Sequence, residues 1–118
     1  MNLSLPWPPS VNKYWRHNRG RTHISKEGRA YRDEVWWLIQ SKKLATITQP
    51  AFIYITAYPP DKRKRDLDNL LKCLIDSIAY SGAIADDYLF DDIRITRGPM
   101  VVGGRLAVTF GVISNPQE

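Results

Sequence analysis

The chain has 118 residues, 43% of them hydrophobic and 25% charged, enough to bury one modest core and too balanced for a disordered chain. One cysteine, Cys73, excludes an internal disulfide and a zinc site built on several thiolates, and no apolar run reaches membrane-spanning length. The net charge of +5 is unevenly placed: residues 1–65 hold 13 Lys+Arg against 4 Asp+Glu, a balance of +9, and residues 66–118 hold 4 against 8, a balance of −4.

Asn2 to Leu5 alternates into Pro6 and predicts a short strand; Pro6, Pro8 and Pro9 then forbid helix and central strand. From Ser10 to His23 the chain is polar, basic and aromatic without a period, and is expected to be a long loop. Ser25 suits an N-cap, and Ala30, Tyr31, Val35, Leu38 and Ile39 recur at helical spacing to about Lys43. Phe52 to Tyr58 is β-friendly and ends at Pro59-Pro60. Leu67, Leu70, Leu71, Leu74, Ile75 and Ile78 form the cleanest apolar stripe, predicting a second helix over about Asp66–Tyr80 with Gly82 as its stop. An acidic loop, Asp86 to Asp92, precedes a strand at Ile93 and Ile95. Gly103-Gly104 marks a turn before a last strand, Leu106 to Val112, and the tail from Ser114 is expected to fray. The order β-α-β-α-β-β over residues 1–118 predicts a single α+β domain, two helices packed on a mixed sheet. With no basic, apolar leader at its start, the chain is expected in the reducing cytosol.

The stretch Asp61 to Lys72 carries most of the chemistry. Lys62, Arg63, Lys64 and Arg65 run into Asp66 and Asp68, with Lys72 one helical turn beyond. Cations attract a polyanion, whereas paired carboxylates repel one unless a divalent metal lies between them. Were both aspartates helical, their side chains would diverge by about 200°. Convergence requires Asp66 at the cap or in extended backbone, so the pair should straddle a strand-to-helix junction. A third acid from Asp86/Asp87 would complete a magnesium site, and Lys72 would stabilise charge on a phosphate. The same residues also suit a plain N-cap, an Asp68–Lys72 ion pair and a solvated loop.

Lys13, Arg16, His17, Arg19 and Arg21 alternate with Tyr14 and Trp15, a pattern that meets phosphates with cations and unpaired bases with rings. One of the two rings is expected to pin the segment to the core. On the helical wheels Trp37 faces away from the apolar stripe, as do Asn69, Lys72 and Asp76, and Cys73 falls on the outer half of its helix.

Leu-Pro-Trp-Pro-Pro-Ser-x-Asn at the start, Tyr-x-Arg-His-Asn-Arg-Gly-Arg-Thr-His-x-Ser in the loop, Arg-Asp-Leu-Asp-Asn-Leu-x-Lys at the junction and the later Asp-Asp pair resemble the RusA family of Holliday junction resolvases. The likeness spans nearly the whole chain in order. It implies a small homodimeric endonuclease of bacteria and their prophages that uses magnesium or manganese to cut four-way junction DNA in recombination and repair. The family's metal-binding aspartates fall on Asp66, Asp68 and Asp87, its essential lysine on Lys72 and its preceding arginine on Arg65. The alternative from the residues alone is a non-catalytic module that binds branched DNA, which needs the cations and not the carboxylates.

Overall fold

A computed structural model describes residues 1–18 and 20–113. The expectations for Arg19 and for the tail from Ser114 fall outside the described residues. Four strands form one mixed sheet: β1 (Asn2–Pro6), β4 (Ala51–Tyr58), β5 (Phe90–Arg97) and β6 (Arg105–Val112), in the order β1-β6-β4-β5. β6 runs antiparallel to β1 and β4, and β5 is parallel to β4. Pro6 is tolerated because β1 lies at the edge.

Strict alternation in β4 sends Ala51, Ile53, Ile55 and Ala57 to one face. Leu3, Leu5, Leu106, Val108 and Phe110 join them in the core. Helices α2 (Lys26–Gln40) and α3 (Leu67–Tyr80) pack on this face, contributing Tyr31, Val35 and Ile39 and Leu70, Leu74 and Ile78. Each helix starts and stops near its predicted place. Ser25 caps α2 by accepting the Gly28 N–H at 2.9 Å. Gly82, in the left-handed region at φ 84°, follows α3.

The segment from Ser10 to His23 departs from the expected loop. It folds as a one-turn helix, α1 (Val11–Tyr14), and a hairpin of β2 (Trp15–Asn18) with β3 (Arg21–Ile24), in which Arg16 lies opposite His23. The alternation was hidden because both hairpin faces are largely polar, so no apolar period marks the strands. Tyr14 is fully buried and Trp15 packs edge-on against it at 5.0 Å, which supplies the expected anchor. Cys73 is also fully buried, against the expectation that it faces outward. The α2–α3 contact widens the covered face of α3 beyond its leucine stripe. Trp37 does face solvent and is 70% exposed.

Candidate active site

The site begins where β4 cannot continue. Pro59 and Pro60 end the strand, and Asp61 then organises the cationic run. Its carboxylate accepts the Arg63 N–H at 2.9 Å and two bonds from the Arg65 guanidinium, at 2.6 and 3.0 Å. That fork holds the Asp61 carboxyl well below the usual carboxylate range, and Asp61 in turn raises Arg65. Arg97 of β5 donates to the Arg65 carbonyl at 2.8 Å, tying the lead-in of α3 to the sheet.

Asp66 occupies the N-cap of α3 in extended backbone, φ −80° and ψ 132°, as convergence of the Asp-x-Asp pair requires. Its side chain makes no capping bond. A plain cap does not account for the residue, whose carboxylate remains exposed. Asp68 follows in the first turn, where the helix dipole favours negative charge. Neither it nor Lys72 belongs to an ion pair among the described residues.

The later acids arrive by a tight return. Ile84 bridges Ile47 beyond α3, and Asp86 then caps a 3-10 turn over Asp87–Leu89 by accepting the Tyr88 N–H at 3.1 Å. Asp87 thereby comes beside α3. A cavity of about 430 Å³ is lined by Asp68, Asn69, Lys72 and Asp87. A neighbouring one of about 430 Å³ is lined by Lys72, Asp76 and Asp87 together with Asn12, His17 and Thr22. Hydrogen bonding with the Asp86 side chain, then partial burial and the charges of Asp86 and Asp76, raise the Asp87 carboxyl above its ordinary value. Asp66 opens on a third cavity, of about 440 Å³, with Trp7, Pro8, Lys64 and Arg65; Asn69 lines both this and the first.

Asp68, Lys72 and Asp87 are therefore gathered, and Asp66 stands one residue to the side. Among the described residues no group of three or more His, Cys, Asp and Glu is assembled around a common metal position. The donors that share a cavity, the oxygens of Asp68 and Asp87, fit a hard cation that keeps several waters, as magnesium and manganese do. His17 bonds Thr22 at 3.0 Å.

Asp76 was missed as a site residue. It is half-buried rather than outward, and accepts a short hydrogen bond from the Tyr14 hydroxyl, which also lies 3.5 Å from Ser77 Oγ. Burial and then Asp76 push the Tyr14 phenol up. Its place one turn beyond Lys72 was the available signal. The bond fastens the root of the β2–β3 hairpin to α3, and His17 of the hairpin lines one cavity with Lys72. Lys13, Arg16, His17, Arg21, Lys62, Arg63 and Lys64 are exposed. Arg65 is different: its side chain is only 24% exposed and committed to Asp61.

Comparison with known proteins identifies the family. The family described as Endodeoxyribonuclease RusA matches residues 6–109. The chain is 46% identical over 115 residues to the crossover junction endodeoxyribonuclease RusA of Shigella sonnei (strain Ss046), covering 97% of this chain and 96% of the relative. The protein of the same name from Escherichia coli (strain K12) is 45% identical over the same shares, and that of Enterobacteria phage 82 is 46% identical. By a family match over most of its length and these identities, the chain, an α+β domain, belongs to the RusA endodeoxyribonuclease family.

Proposed function

We propose that this chain is a magnesium-dependent crossover junction endodeoxyribonuclease, resolving four-way DNA junctions as a homodimer in the bacterial cytosol. One observation carries the reading: Asp68, Lys72 and Asp87, from two ends of a βαβ unit, line a single cavity beside a basic hairpin. Asp68 and Asp87, with Asp66 from the adjoining cavity, would hold the ion. When bound, magnesium or manganese supplies an acidified water and neutralises charge at the phosphate.

The chain's own groups do the rest. Lys72 sets its ammonium toward the phosphate and stabilises the charge that grows there as the ester opens. Lys13 on α1, Arg16, His17 and Arg21 on the hairpin, and Lys62, Arg63 and Lys64 before α3, grip the backbone on either side. Arg19, in the same run of sequence, is assigned to that grip as well. Arg65 acts at one remove, holding the Asp61–Asp66 lead-in rigid while its charge adds to the local field. Two strands of like polarity must be cut to resolve a junction, and two-fold related copies supply two equivalent sites.

The deciding experiment incubates the protein with end-labelled four-way junction, plain duplex and single strand, with and without magnesium. Paired cuts at symmetric positions near the crossover, only on the junction and only with magnesium, are expected. The absence of a three-ligand metal cluster among the described residues favours one competitor, a binding module without catalysis. Metal-indifferent junction binding with no product would establish that competitor instead.

A further inference from the structure

We propose that the cavity between Trp7–Ser10 and the start of α3 is a base pocket, which takes one unpaired nucleobase next to the phosphate to be cut. This rests on the endonuclease reading above. The cavity, about 440 Å³, has the size of a small-molecule site. Its walls are unlike the rest of the basic surface. Trp7, Pro8 and Pro9 form an apolar side with no backbone donor at either proline; buried Leu70 also lines the cavity, with Lys64 and Asp66 at its charged part.

Trp7 is seated firmly. It packs against the core, and Gly104, at φ 70°, passes so close that a Cβ there would lie 3.0 Å from Trp7 Cβ and 3.0 Å from Pro60 Cδ. The Arg65 guanidinium stands 5.8 Å from the Trp7 ring centroid, its plane fixed by the two bonds to Asp61. A fixed indole and a fixed guanidinium are the surfaces on which an unpaired base stacks.

Asn69 supplies the polar element. It is exposed, and its side-chain amide makes no hydrogen bond among the described residues, leaving a donor and an acceptor for a base edge. It also lines the Asp68–Lys72–Asp87 cavity. A phosphate at Lys72 and a base beyond Asn69 are thus neighbours through one shared wall. Turning a base out of the stack costs roughly a few kcal/mol, which contacts in the pocket would have to offset.

The test is a cycle of protein and substrate changes. Junctions carry an abasic site at each position flanking the cut, and affinity is measured without magnesium for the wild type, Trp7→Ala and Trp7→Phe. At one position the abasic junction should bind the wild type at least fivefold more weakly. Trp7→Ala should lose a similar factor on the intact junction and almost nothing further on the abasic one, and Trp7→Phe should recover most of the loss. Multiplying losses, or no abasic position that matters, would overturn the pocket. In the second arm, cutting rates on junctions differing only at that base should span a ratio that Asn69→Ala narrows fivefold or more; an unchanged ratio removes Asn69 from base reading. Thermal melts confirm that each variant is folded. Should the wild type cut no junction, the endonuclease reading fails, and the binding cycle alone still accepts or rejects the pocket.

Discussion

Gly28→Ala sets two effects of known size against each other. Gly28 lies in the first turn of α2, where alanine ought to stabilise the helix by about 1 kcal/mol. A Cβ there, however, would sit 2.5 Å from the carbonyl oxygen of Tyr14 and 2.8 Å from Ile24 Cγ1. An ordinary C···O contact is roughly 3.3 Å, so α1 and the hairpin must retreat by ~0.8 Å. That oxygen accepts the Ser25 N–H at 2.8 Å, and Ser25 Oγ both caps α2 and donates to the Lys13 carbonyl. Losing the backbone bond costs about 1 kcal/mol and disturbing the cap about another 1. Loosened packing of buried Tyr14 adds about 1 more. Net destabilisation is then about 2 kcal/mol, a fall in Tm of roughly 8 °C. Urea and thermal unfolding followed by circular dichroism measure it. Junction affinity should fall too, because the displaced hairpin carries Arg16, His17 and Arg21. A variant as stable as the wild type, or more so, would refute the reasoning.

Asp68→Asn should cut a synthetic junction at least a hundredfold more slowly while binding it as well or better, and full activity would remove Asp68 from the site. Lys72→Ala should bind and turn over ~10²–10³ times more slowly, an outcome that single-turnover rates decide. Burial pushes the Cys73 thiol up to about 12, so at pH 8 the native protein should react with a thiol reagent about a thousandfold more slowly than an ordinary cysteine. Prompt labelling without unfolding would contradict the buried position. Asp61 has its folded value depressed, so its contribution is present above the ordinary aspartate range, near pH 4, and lost as the pH falls toward the folded value. Asp61→Asn should therefore lower Tm at pH 7, and the gap to the wild type should narrow steadily as the pH falls below roughly 4. A gap that persists in acid would mean that the Arg65 clamp is not its cause.

Long periodic elements were legible because burial writes them into the chain. The α3 stripe and the alternation of β4 each follow from one apolar face. The Asp66 backbone was legible for another reason, since two carboxylates two residues apart can converge only outside the helix. The hairpin was not, because its strands bury little and so carry no apolar alternation to mark them. Cys73 and Asp76 were misplaced by the same cause: a wheel drawn for one helix cannot show that a second helix and a buried tyrosine cover its flank. The separation of Asp66 from the Asp68–Asp87 cavity likewise depends on where Asn69 stands, which residue spacing does not contain.

The last of the described strands in chain order is a central one. β6 lies between β1 and β4, pairing Leu3 with Val108 on one side and Ile55 with the same residue on the other. In chain order, the β4-α3-β5 unit with Asp66, Asp68, Lys72 and Asp87 precedes the strand that joins it to β1. Without that strand the unit has an open edge and an uncovered apolar face, and the N-terminal segment with Trp7 and Tyr14 has no sheet to belong to. A chain interrupted before Arg105 would therefore carry all four of the site residues and still lack the strand that seats them, so the site depends on a strand that contributes none of its acids.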